Sequence, residues 1–144
     1  MNVPKTSDEL KNEIYISVDK SKDIGDLRIR QLIKILPNVS DEIILEGIIS
    51  VFESERREKI YYCDQEFAGQ VLKRIKPKSK LEPINLLKRV LKNWDVSVEE
   101  LPIWFKENYG IDLLIEALDR LNNSSISDFE KDKIKTMKFW IKNK

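Results

Sequence analysis

Apolar residues recur at helical spacing along almost the whole chain, and strict alternation over the length of a strand is hard to find. Between residues 40 and 54, for example, Ile44, Ile48, Val51 and Phe52 fall on one face of a helix. Such a period of about 3.6 residues is typical of helices that bury one side. Only four glycines and five prolines interrupt the 144 residues, so we predict an all-α protein.

Hydroxyl residues at regular places predict where several helices begin. Ser40 is a candidate N-cap, and three capping boxes join Thr6 to Glu9, Ser97 to Glu100 and Ser127 to Glu130. In such a box the hydroxyl accepts a hydrogen bond from the backbone N–H three residues later. Pro102, five positions after Ser97, is expected to remove one intrahelical bond and to tighten or kink the first turn. Gly110 stands where a left-handed C-terminal cap belongs.

These signals divide the chain into eight helical segments of about 10 to 17 residues, joined by short connections. Residues 21–25 are predicted to be a linker, Leu27 to face inward from the second segment, and the fifth segment to run from Ser79 to about Trp94. The fourth segment starts in the charged run near residue 55, with 60–63 as a short extended piece or a break. We predict a single domain, 1–144, built as an irregular array of antiparallel helix pairs; the alternative is a globular helical bundle.

The composition argues against an enzyme. The chain has no histidine, and its single cysteine, Cys63, has no second thiol or imidazole to work with. The four glycines are scattered singly, so no phosphate-binding loop is present in the sequence. We therefore expect no catalytic residues, no metal site and no cofactor.

The chain also lacks the features of an exported or membrane protein. No apolar run approaches the roughly 18 residues of a membrane span, and the N-terminal stretch MNVPKTSDELKNE is polar, unlike a signal peptide. A lone cysteine does not call for an oxidising compartment. The expected location is the cytoplasm.

The charge distribution is the main indication of function. Although the formal net charge is only +1, seven acids and one lysine lie between residues 95 and 119, a local charge of −6. The preceding residues 71–93 carry eight basic side chains and one glutamate, a charge of +7. The acids of this acidic window are Asp95, Glu99, Glu100, Glu107, Asp112, Glu116 and Asp119.

Acids in the first turn of a helix complement its dipole, each by about 0.3 to 1 kcal/mol. Glu107, Glu116 and Asp119 lie mid-helix or near a C-terminus, where the dipole disfavours them. Asp112, Glu116 and Asp119 also share one stripe of a predicted helix, where like charges repel. We therefore predict that the acidic window is a partner-binding face.

Aromatic residues lie beside these acids. Trp94, Trp104 and Phe105 fall on apolar ridges and are expected in the core, whereas Tyr109 is predicted at a rim with its hydroxyl in water. Aromatic anchors supply buried area and surrounding acids steer a basic partner. The predicted partner-binding residues are therefore Tyr109 and the seven acids of the acidic window.

Basic residues support an alternative. The C-terminal stretch 131–144 holds six lysines and one aspartate, although Ile134, Met137 and Ile141 form a core-facing stripe. This helix and the basic run 73–92 could serve a nucleic-acid-binding adaptor or regulator. Equally, the basic run could face the acidic window within the same molecule.

The segment DVSVEELPIWFKENYGIDLLIEAL, residues 95–118, combines a capped acidic entry, a proline–aromatic ridge, a glycine corner and a leucine-rich helix. With these features the chain resembles small all-α, HEAT-like bacterial proteins. Among them it is similar to the immunity proteins of polymorphic or contact-dependent growth-inhibition toxin systems, in general style over residues 26–121. The resemblance implies a cytoplasmic monomer that forms a 1:1 complex with one cognate toxin domain and blocks its active site.

The leading hypothesis is a non-enzymatic inhibitor whose acidic face engages a basic, nuclease-type toxin. Many such toxins have cationic clefts built for phosphate, which an acidic surface would suit. Nucleic acid and membranes are not expected as partners. The nucleic-acid-binding regulator is the second hypothesis, and an accessory module without a charge-directed partner is the third.

Overall fold

The computed structural model describes residues 1–57 and 63–144, which form eight α-helices and a short 3-10 turn, Leu36–Asn38, with no strand among them. The predicted all-α class and the number of helices are confirmed. The helices are α1 (Ser7–Ile24), α2 (Leu27–Ile35), α3 (Asp41–Glu53), α4 (Asp64–Ile75), α5 (Pro83–Val90), α6 (Glu100–Tyr109), α7 (Ile111–Asn122) and α8 (Asp128–Asn143).

The helices pack in two rows. The odd-numbered helices contact one another in sequence, α1 with α3, α3 with α5 and α5 with α7, while α2, α4, α6 and α8 form a second sequence of contacts. Contacts such as α1 with α2, α3 with α4 and α7 with α8 join the rows. This order of neighbours is that of stacked helix pairs, except that α5 and α6 make no extensive contact and α6 joins the other row through α7.

One hydrophobic core runs through both rows and takes side chains from every helix. Its largest fully buried side chains include Trp94, Phe52, Phe67 and Phe105. Helix α3 is buried on most of its circumference, as its apolar sequence predicts. At Gly47 it comes so close to α1 that an added Cβ would lie 3.0 Å from the carbonyl oxygen of Ser7.

Three of the predicted helix starts are confirmed. Thr6, Ser40 and Ser127 accept hydrogen bonds from the backbone N–H three residues later, at 3.1, 3.4 and 3.1 Å. The start predicted at Ser97 is wrong: α6 begins at Glu100, and the Ser97 N–H and hydroxyl donate to Asp95 Oδ1 at 3.0 and 2.7 Å. An aspartate side chain competes well for such local bonds.

The later start of α6 also corrects the expectation for Pro102. This proline lies in the first turn, where a backbone N–H has no intrahelical acceptor, so no helical hydrogen bond is lost. At the other end, Gly110 has the expected positive φ of 85°, but its ψ of 155° is extended rather than left-handed helical. Gly110 therefore leads directly from α6 into α7.

Several boundaries differ from the sequence prediction. The linker predicted at 21–25 is wrong, because α1 continues to Ile24 and only Gly25, with φ 59°, and Asp26 separate it from α2. Leu27 is exposed, and Ile29 takes the buried position of α2. Helix α5 ends at Val90, before Trp94. The charged run 55–57 is not helical, and most of the predicted break at 60–63 lies outside the described residues.

In the described ranges, none of the helices has both the length and the apolar character needed to cross a membrane.

Candidate functional site

The acidic window is distributed over three places in the fold. Asp95 lies in the turn between α5 and α6, where its carboxylate accepts the two bonds from Ser97 and pairs with Arg56 at 3.3 Å. Burial alone would raise the pKa of Asp95, but the bonds from Ser97 and the charges of Arg56 and Lys133 hold that pKa below its ordinary value. The carboxylate of Asp95 therefore organises its own turn.

Three further acids, Glu99, Glu100 and Glu107, line a groove of about 250 Å³ between α4 and α6. Glu99 pairs with Lys144 at 3.6 Å, and Glu107 pairs with Lys76 at 3.8 Å. Glu100 has no ion pair within the described residues. The opposite wall carries Lys73, Arg74 and Lys76, so this groove is of mixed charge rather than acidic.

The remaining acids, Asp112, Glu116 and Asp119, are exposed on α7, as their spacing requires. Asp119 pairs with Lys138 of α8. Asp112 and Glu116 have no ion-pair partner in the parts of the chain that the structure describes. Four of the seven acids are thus matched by a lysine or arginine of the same chain, and two of the three unmatched ones share one face of α7.

Apolar side chains accompany the unmatched acids of α7. Leu113 is 55% exposed and Ile111 40% exposed, so the first two turns present both apolar and negative surface. Sequence analysis missed both residues. A helical projection could have identified Leu113, because it falls outside the arc of Leu114, Leu118 and Leu121, which are buried.

Tyr109 is half-buried at the end of α6, and its hydroxyl donates to Ser79 Oγ at 3.3 Å. Burial raises the pKa of the Tyr109 hydroxyl, although the bonds to Ser79 and Asn108 oppose the change. The ring packs edge-on against Trp104, with 6.0 Å between the ring centroids. Trp104 and Phe105 are buried, as expected, so Tyr109 links the core to the surface.

Part of the basic run 73–92 is also matched within the molecule. Arg89 donates to both carboxylate oxygens of Glu46 at 2.8 Å and to Glu53 at 2.9 and 3.0 Å. The bonds to Glu46 and Glu53 raise the pKa of Arg89 above its ordinary value. Together with the pair between Lys76 and Glu107, this network favours intramolecular counter-charges for these two residues.

The C-terminal helix uses its residues mainly for packing. Ile134, Met137 and Ile141 are buried, as predicted. Lys133 is buried too, and its ammonium donates to the carbonyls of Lys92 and Trp94 at 2.7 and 2.6 Å. Burial lowers the pKa of Lys133, because it disfavours the charged form. This lysine therefore fastens α8 to the turn that follows α5.

Cys63 caps α4, with its sulfur accepting a hydrogen bond from the Glu66 N–H at 3.3 Å. Burial raises the pKa of the Cys63 thiol, so the neutral form is favoured near neutral pH. Within residues 1–57 and 63–144, no three acidic, cysteine or histidine side chains are grouped in a way that could hold a metal ion.

The fold and its surface thus define a stack of helix pairs in which one exposed helical face combines apolar and unmatched negative side chains. No protein-family model matches the sequence, and no curated protein or solved structure matches it either. A function for this chain must therefore be inferred from its surface.

Proposed function

We propose that this chain is a non-enzymatic inhibitor that binds a basic protein partner through the outer face of α7. The observation that supports the proposal is that an exposed leucine and two carboxylates lie together on the first two turns of that helix. Leu113 is 55% exposed between Asp112 and Glu116, whose carboxylates have no ion pair among the described residues. We call Asp112, Leu113 and Glu116 the α7 patch.

An exposed apolar side chain and unmatched charges contribute differently to an interface, the first to its affinity and the second to the association rate. Burying a leucine side chain contributes about 1.5 to 3 kcal/mol, which is the contribution of an anchor residue. Exposed carboxylates mainly increase the association rate with a basic protein. Because Asp112 and Glu116 have no ion pair to give up within residues 1–57 and 63–144, both are available for that role.

Within this class, we propose an immunity protein that neutralises a cognate nuclease-type toxin in the bacterial cytoplasm, as a 1:1 complex. The support is the resemblance of residues 95–118 to helical immunity proteins, together with the charge of the α7 patch. A nuclease cleft built for phosphate is cationic, so the α7 patch would match it in sign and cover it. Of the predicted acidic face, the proposed site keeps Asp112 and Glu116, two of the three acids that have no ion pair within the described part of the chain.

The test begins with gene order and co-expression. We expect the gene for a large secreted toxin immediately upstream, and we expect this chain to restore growth of cells that express its toxic domain. Cells carrying the double variant Asp112→Lys and Glu116→Lys should lose that protection. The control is Asp128→Lys with Asp132→Lys, which has the same spacing on α8 and the same change of net charge.

Binding kinetics with the purified toxin domain test the physical basis. The association rate should fall steeply with ionic strength, and the double reversal on α7 should reduce it by about tenfold or more. Leu113→Glu should weaken binding, whereas Phe139→Glu, at a 57% exposed position on α8, should not. Equal affinity of both reversal variants with the toxin domain would refute the proposal.

A further inference from the structure

A second groove lies between the beginning of α3 and the loop that leads into α5, with a volume of about 650 Å³. Leu45 and Leu86 line it with buried apolar side chains, and Leu81, which is 57% exposed, stands at its rim. This volume falls in the range of pockets that bind small ligands or several side chains of a peptide. None of the residues that line this groove belongs to the acidic window.

The loop that forms one wall of the groove is held in place by hydrogen bonds. The Lys78 N–H donates to Asp41 Oδ2 at 3.1 Å, and the Leu81 N–H donates to Ser79 Oγ at 3.1 Å. The amide of Asn108 completes the set, since it accepts from the Ser79 N–H at 3.2 Å and donates to the Ser79 carbonyl at 3.1 Å. A wall fixed in this way loses little freedom when a partner binds.

The same bonds connect the groove to the end of α6, next to the beginning of α7. Ser79 lines the groove and contacts both Asn108 and Tyr109, the last two residues of α6. Only Gly110 separates Tyr109 from Ile111, the first residue of α7. The loop that lines the groove is therefore bonded to the chain two residues before α7 begins.

The rim carries charges of both signs. Glu46 is already bound by Arg89, but Asp41 and Glu42 on one side, and Lys78 and Lys80 on the other, have no ion pair within residues 1–57 and 63–144. An apolar floor between such rims fits a segment with apolar side chains beside a charged one, and for the basic partner of the proposed function that charge is a lysine or arginine. The basic side chain would lie at Asp41 and Glu42, away from the two lysines.

We propose that this groove is a second contact site for the partner of the α7 patch, and that it accepts leucine-sized side chains flanking a lysine or arginine in one segment of that protein. The identity of the partner rests on the proposed function. The capacity of the groove for the apolar side chains does not, because it follows from the groove's shape and apolar lining.

A blocked tripeptide, acetyl-Leu-Lys-Leu-amide, tests the groove without the partner. We expect saturable NMR shifts at Leu45, Leu81 and Leu86 when this peptide is titrated into the full chain. The shifts at Leu45 and Leu86 should disappear in Leu81→Glu and persist in Leu113→Glu, a substitution of the same kind at an equally exposed position. Absence of saturable shifts in the groove, or their persistence in Leu81→Glu, would overturn the inference.

The toxin domain provides the second test. Leu81→Glu should raise its Kd by about tenfold or more, as expected for loss of a buried leucine, and Phe139→Glu should leave Kd unchanged. If Leu81→Glu binds like the wild type while Leu113→Glu is weakened, the groove inference fails and the proposed function stands. If the tripeptide binds in the groove but no toxin domain binds the chain, the proposed function is refuted and the capacity of the groove for such a segment is retained. Circular dichroism melts should verify that each variant is folded.

Discussion

Replacing Gly47 by alanine should destabilise the protein, because this glycine sets the distance between α1 and α3. An alanine Cβ would lie 2.9 Å from Leu10 Cδ2, 3.0 Å from the Ser7 carbonyl oxygen and 3.1 Å from Leu10 Cβ. The Leu10 methyl group can rotate, but the Ser7 oxygen belongs to the backbone of α1. The two helices must therefore separate by several tenths of an ångström.

Two opposing effects determine the size of the change. Alanine favours the helix over glycine by about 1 kcal/mol. Overpacking of a tight core contact costs about 1 to 3 kcal/mol, and the upper part of that range applies because a backbone atom is involved. The expected net loss is about 1 to 2 kcal/mol in the free energy of unfolding, which corresponds to about 3 to 6 °C in Tm for a chain of this size.

Urea unfolding followed by circular dichroism measures this difference, and Gly69→Ala is the matched control within α4. Its Cβ would meet two side-chain atoms at 3.2 Å, Cβ of Glu100, the first residue of α6, and Cγ1 of Val98 in the turn before it. The control should stay within about 1 kcal/mol of the wild type, since the helical gain offsets a smaller steric cost. If Gly47→Ala is as stable as this control, the close approach of α1 and α3 does not limit the fold.

Three further substitutions test other contacts. Arg57→Lys should lower the free energy of unfolding by about 1 to 2 kcal/mol, because lysine cannot reproduce the two bonds to the buried carboxylate of Asp64; Arg30→Lys, in an exposed pair, should change it by less than about 0.5 kcal/mol. The folded-state pKa of Asp95 lies below its ordinary value of 3.8, so its carboxylate stabilises the protein above that pH, and the stability is lost as pH falls through the folded-state pKa. Thermal melts from pH 6 to 2 should therefore show Asp95→Asn destabilised at pH 6 and a gap to the wild type that closes in acid; a constant gap would contradict the pKa argument. Trp104→Phe should cost about 2 kcal/mol in urea unfolding, because it leaves a cavity and removes the indole hydrogen bond, and a loss below about 0.5 kcal/mol would argue against both effects.

The helices were predictable because their signals are local. Apolar spacing and the hydroxyl caps at Thr6, Ser40 and Ser127 act within one or two turns, and the structure follows them. The start of α6 was not predictable in this way. Ser97 bonds to Asp95 instead of capping the helix. The turn that contains Asp95 is also held by Lys133, whose ammonium reaches the carbonyl of Trp94 from 39 residues away, a contact that no pattern in a short window records.

The ion pairs of the candidate site were even less predictable, because they join residues that are far apart in the sequence. The sequence gives the sum of the charges in the acidic window, but pairing depends on neighbours in space. Asp119 meets Lys138 across α7 and α8, and Glu99 meets Lys144 from 45 residues away. Charge sums do not show which acids are paired, and the fold separates Asp112 and Glu116, unmatched among the described residues, from acids that already have a counter-charge.

The two-row packing has a consequence for folding kinetics. Every extensive contact between the described helices joins elements at most three positions apart along the chain, so none of these docking events has to bring the two ends of the chain together. Chains with such local topology fold fast, and their stability accumulates from neighbour to neighbour. We expect a terminal helix to open transiently while the opposite end keeps its protection against hydrogen exchange.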